Sequence, residues 1–87
     1  MPTEFTKANI EAIKELQSFR DVGEVFYHLG VVFIVKCHYE LHYSYAMSLT
    51  PISYISPTLL CDYLLDGKIV QHRFYQSDLP MLIKENI

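Results

Sequence analysis

An 87-residue chain has room for one hydrophobic core, and a chain of this size buries roughly 60–65% of its unfolded surface on folding. Ten acidic and seven scattered basic residues give a net charge of −3, so the basic stripe needed to displace counterions from nucleic acid is missing and no such partner is expected. The two cysteines form no Cys-x-x-Cys pair, Met1 to Lys7 does not read as a leader, and the apolar run Leu29–Val35 is far too short to span a bilayer, which together predict a cytoplasmic protein with reduced thiols and no membrane contact.

Lys7 to Phe19 carries Ile10, Ile13, Leu16 and Phe19 at three- and four-residue spacing, with Ala8 and Ala12 alongside. That spacing predicts an amphipathic helix, with Thr6 as its N-cap. Arg20 to Gly23 reads as a turn. Glu24 to Leu29 is rich in strand formers and predicts a short strand, which Gly30 ends.

From Val31 to Leu49 every odd position is apolar or aromatic: Val31, Phe33, Val35, Cys37, Tyr39, Leu41, Tyr43, Tyr45, Met47 and Leu49. From Lys36 onward the even positions are polar apart from Ala46. A period of two predicts one very long central strand over 31–49, with a buried odd face and a wet even face. The stretch contains no Gly, Pro, Asn or Asp, so the usual hairpin chemistry is missing within it. A strand bent by a bulge near Glu40, with one end reaching a partner chain, fits the pattern.

Pro51 and Pro57 bracket Ile52 to Ser56, which reads as a connection or an edge strand, since neither proline donates to a ladder. Asp66-Gly67 is a type I′ hairpin signal that pairs Leu65 with Lys68, Tyr63 with Val70, Cys61 with His72 and Leu59 with Phe74. The competing reading is a helix over 57–65, with Ser56 as its cap and Gly67 as its stop. Ile69 to Tyr75 is a strand in both. A short C-terminal helix follows over about 78–86, capped by Ser77 or Asp78, with Leu79, Leu82, Ile83 and Ile87 facing inward. Helix, antiparallel strands, helix, without βαβ alternation, predicts one α+β domain over 1–87 with both helices on one face of the sheet.

Three constellations could carry function. His38, Glu40 and His42 form a His-x-Glu-x-His run on one strand face. The two histidines lie roughly 13 Å apart along a strand, so at most two neighbours share an ion, and His72 or His28 must supply a third ligand. That gives a metal reading centred on His38, Glu40 and His72, against a plain solvated strand face. Cys61 opposite His72 is a candidate thiolate pair, against a small buried hydrophobe beside an imidazole. Tyr39, Leu41, Tyr43, Tyr45 and Met47 form an aromatic stripe longer than a thirteen-residue helix of about 20 Å can cover. No phosphate loop, nucleophile elbow or nucleotide fingerprint is present, and no cofactor is expected. The resulting expectation is a non-enzymatic protein that binds another protein, as a homodimer built on the long strand. The alternative is a metal-binding protein or metal-dependent enzyme.

Overall fold

The computed structural model describes residues 5–44 and 52–87. Helix α1 (Lys7–Phe19) begins where Thr6 Oγ1 accepts the Asn9 N–H at 3.1 Å. That bond satisfies one of the donors a first helical turn leaves without a partner. Ala12, Ile13, Leu16 and Phe19 are buried. Ile10, a turn ahead of them, lies beyond the core and stays exposed, against expectation.

Four antiparallel strands follow in a meander, β1 (Val25–His28), β2 (Val31–Ser44), β3 (Ile52–Leu65) and β4 (Lys68–Phe74), lying side by side in sequence order. Two tight turns set the register. Leu29-Gly30 and Asp66-Gly67 have the same backbone, φ 51° then 79°. Two successive positive φ values are the turn geometry whose twist matches that of the flanking strands. The second turn pairs Leu65 with Lys68, Tyr63 with Val70, Cys61 with His72 and Leu59 with Phe74, so residues 57–65 are strand and the helical alternative fails. The first turn makes a hairpin of β1 and β2, with Phe26 opposite Phe33 and Tyr27 opposite Val32.

Strand β2 runs fourteen residues, and positions 45–49 of the expected strand lie outside the described residues. Its ladder with β3 shifts twice, between Val35 and Cys37 and again between Cys37 and Tyr39. Val35 pairs with Cys61, Cys37 with Leu60 and Tyr39 with Pro57, so one extra residue on β2 is offset by one on β3. The irregularity expected near Glu40 therefore falls just before it. It also ends the simple alternation. Phe33 and Val35 are buried as odd positions should be, but beyond the bulge His38 is 4% exposed while Tyr39 and Leu41 are 43% and 44% exposed. An extra residue exchanges the two faces locally.

Pro57 sits inside β3 without breaking it. The ladder to β4 ends at Leu59 opposite Phe74, so Ile52 to Thr58 pairs only with β2. An edge is where a residue lacking an N–H is tolerated, and the edge-strand reading of this segment holds over the connection reading.

A 3-10 turn (Gln76–Asp78) leads into α2 (Leu79–Glu85), with Pro80 in its first turn. Asp78 accepts the Tyr75 N–H at 2.8 Å instead of capping α2. Leu79 and Leu82 are buried, whereas Ile83 and Ile87, expected inward, are exposed. Seven residues make about two turns, and only the Leu79–Leu82 side meets the sheet.

The core is one cluster on one side of the sheet. Leu16 and Phe19 of α1 and Leu79 and Leu82 of α2 pack on Phe26, Phe33, Val35, Leu59, Cys61 and Phe74. Phe26 sits at its centre, with its ring centroid 5.2 Å from Phe19 and 5.5 Å from both Phe33 and Phe74. Both helices therefore cover the same face, as the order of elements implied. Among the described residues, no helix covers the other face.

Candidate functional site

Residues paired across an antiparallel ladder point to the same side of the sheet. Because Phe26–Phe33 and Leu59–Phe74 lie under the helices, the alternate pairs Val25–Ile34, Tyr27–Val32 and Leu64–Ile69 lie on the open face. These six side chains are 44–72% exposed. Asp62 and Gln71 belong to the same face, one step along from Leu64 and Ile69. Beside this apolar end stand two ion pairs. Lys36 Nζ is 3.6 Å from Asp62 Oδ2, and Arg73 Nε donates to Glu40 Oε1 at 2.5 Å. Thr58 Oγ1 donates to the same oxygen at 3.1 Å. The Arg73 hydrogen bond, helped by Thr58 and opposed by partial burial, holds the Glu40 carboxyl below the usual carboxylate range.

Beyond Val35 and before Leu59, β2 and β3 pair only with each other and form an arm. Tyr39 and Leu41 are exposed on it, with the Phe5 ring edge-on to Tyr39 at 5.3 Å and the buried Ile55 opposite Leu41. His42 stacks on Tyr54 at 5.0 Å. Of the expected stripe, Tyr39 and Leu41 are placed on the arm and Tyr43 lies in its ladder opposite Ser53. Tyr45 and Met47 lie outside the described residues.

The proposed metal residues are not brought together. His38 Nε2 donates to the Arg20 carbonyl at 2.8 Å, at the end of α1. Glu40 is held by Arg73 and Thr58. His72 pairs with Cys61, on the helix side, where its ring meets Phe74 at 4.5 Å and Phe33 at 5.8 Å. His28 pairs with Glu85 at 2.8 Å. Among the described residues, no three His, Cys, Asp or Glu side chains gather as a metal site.

The Cys61–His72 register is as expected, but its chemistry is not that of a nucleophile. Cys61 is fully buried, its Sγ is 3.6 Å from the Leu59 carbonyl, and burial, with the neighbouring Asp62 charge, pushes its pKa up to about 12. Nucleophilic attack requires the thiolate, and this site keeps the thiol. Burial likewise raises the pKa of Cys37, and both cysteines are free. Leu16, Leu59 and Leu82, between the helices and the sheet, have zero exposure. A groove of about 770 Å³ opens instead at the outer seam of the helices, along Phe19, Leu79 and Ile83.

The open apolar face was missed by the strand alternation, yet its signal is in the sequence. Val31-Val32-Phe33-Ile34-Val35 is a continuous apolar run, which marks a strand apolar on both sides. Comparison of the chain with protein-family models, with curated proteins and with solved structures gave no match. Among the described residues, no helix is long and apolar enough to cross a membrane.

Proposed function

We propose that this is a small cytoplasmic, non-enzymatic protein that works through protein–protein contact, as a homodimer built on the long strand β2. By class it is an adaptor, inhibitor or accessory factor. The observation that carries the reading is that β2 outruns its own domain. An isolated two-stranded ribbon is marginal in water, and the arm of β2 and β3 has neither β1 nor β4 beside it. The Cα radius of gyration is 14.9 Å, against about 12 Å for a compact chain of this length. Strand β2 offers a partner two surfaces. One is the arm, with Tyr39 and Leu41 exposed on it. The other is the open face of the sheet. Tyrosines and aliphatics of this exposure suit the apolar centre of an interface.

Native mass spectrometry on untagged protein purified without chelator tests the reading. A metal-free dimer supports it. A monomer carrying one equivalent of metal overturns it.

A further inference from the structure

We infer that the groove at the outer seam of the two helices is a binding site for a small amphipathic carboxylate, an apolar tail with one anionic head, and that Arg20 takes the head. No residue of β2 lines the groove, so this is a second property of the chain, separate from the contact surfaces of that strand.

Arg20 directly follows the last residue of α1. Its Nε donates to the Val25 carbonyl at 3.1 Å and its Nη1 to the Phe19 carbonyl at 2.7 Å. The guanidinium carbon also lies 4.8 Å from the centroid of the Phe19 ring. Two main-chain acceptors and a ring thus fix the plane of a half-buried cation. A guanidinium has five N–H groups, so three remain after these two bonds. Among the described residues, no carboxylate pairs with Arg20. Its charge is held in place by neutral acceptors and has no counter-ion. A planar fork in this state matches a carboxylate with parallel hydrogen bonds, and little side-chain entropy is left to lose when they form.

The rest of the groove suits a tail. Its volume of about 770 Å³ falls in the range of roughly 300–1,000 Å³ usual for small-molecule sites. Phe19 and Leu79 line it together with Ile83 and Ile87, the two isoleucines of the C-terminal segment that the sheet leaves exposed. An apolar tail laid along them removes these side chains from water. Among the described residues lining the groove, Glu15 is the one acid, and the Gln76 carboxamide donates to it. A cationic head would meet the unneutralised charge of Arg20, and a neutral head would leave that charge unmet. Glu15 weakens the site for an anion without reversing its preference, because its carboxylate already has a donor.

The test compares octanoate with its uncharged counterpart octanamide, each titrated into the isotope-labelled full chain and followed by the backbone amide resonances. A ligand of this size at modest efficiency reaches a dissociation constant of about 1 mM. The expected shifts are confined to the last turn of α1 and to α2, with octanoate about tenfold tighter than octanamide. Arg20→Met should erase that preference, and Glu15→Gln should tighten octanoate by about two- to fivefold. Arg20→Met also takes donors from two carbonyls, so a second variant guards against a failure to fold. Ile83 is half exposed on α2, and Ile83→Glu puts a charge of the same sign where the tail lies, which should abolish octanoate binding. Equal affinity for the two probes, shifts centred on the arm or the open sheet face, or unchanged binding in Ile83→Glu overturns the inference. So does an absence of shifts at about 10 mM octanoate, tenfold above the expected constant.

Discussion

The carboxamide of Asn86 pairs with the main chain of Tyr27 as a neighbouring strand would. The Tyr27 N–H donates to Asn86 Oδ1 at 2.8 Å, and Asn86 Nδ2 donates back to the Tyr27 carbonyl at 2.8 Å. A third bond, from Nδ2 to the Leu82 carbonyl, ties the same side chain to its own helix. One residue thus closes the outer edge of β1 and fixes the end of α2 on it. Asn86→Ala removes all three bonds and should cost about 1–3 kcal/mol in urea unfolding. It should also speed hydrogen exchange at the Tyr27 amide and, by opening the edge, promote aggregation on heating. An unchanged exchange rate at Tyr27 would show that the pairing contributes nothing in solution.

His38 is a structural donor. Its imidazole is buried and gives its Nε2 proton to the Arg20 carbonyl. His38→Ala should lose about 2–3 kcal/mol, from the unpaired carbonyl and the vacated volume together. A zinc titration should leave the melting temperature of the wild type where it was. A rise with zinc that His38→Ala abolishes would restore the metal reading.

Glu40 makes stability depend on acidity with a definite sign. Its carboxyl titrates below the usual range in the folded protein, chiefly because of Arg73. A group with a depressed folded pKa binds protons more readily in the unfolded chain, so its contribution is complete above the unfolded value and is lost as pH falls through the folded one. The stability gap between wild type and Glu40→Gln should be constant near neutrality and close as the solution is taken below about pH 4. A gap that widens in acid would contradict the Arg73 assignment.

Leu29 occupies the wrong residue type for its backbone. It adopts φ 51° in the turn from β1 to β2 and is exposed there. Left-handed backbone costs a β-carbon residue roughly 1–2 kcal/mol, less for asparagine. Leu29→Asn should therefore stabilise the protein by about 1 kcal/mol, measured as a higher urea midpoint at constant slope. Gly30→Ala should do the reverse by about 1 kcal/mol. No neighbouring atom lies within 4 Å of the added methyl, so the cost is conformational alone.

Much of the fold was legible because its signals are local. Thr6 and the spacing of Ile13, Leu16 and Phe19 mark α1, and Asp66-Gly67 gives the register of β3 and β4 residue by residue. The hairpin at Leu29-Gly30 was not legible, because leucine lacks the short polar side chain that usually announces such a turn. The faces of β2 were readable only as far as Val35. Period-two reasoning assumes an unbroken ladder, and the paired irregularity at 35–39 depends on what β3 places opposite. For the same reason His38, read as a wet neighbour of Glu40, turned out to be buried against Arg20. Which histidines stand together is a property of tertiary placement. The order of residues in the strand did not carry it.

The meander order of the sheet bears on how the chain reaches this state. Every strand pairs with its neighbour in sequence, so the β1–β2 and β3–β4 ladders can zip outward from their tight turns, and hairpins of this kind close within about 1–10 µs. Longer closures join the two ends of the chain, such as Gln76 to Glu15 across 61 positions and Asn86 to Tyr27 across 59. Loop closure of that length costs entropy that no local contact offsets. Docking of α2 on β1 depends on such a closure. A chain stalled before it would leave Phe26 and Leu59 uncovered on one side and the edge of β1 open on the other.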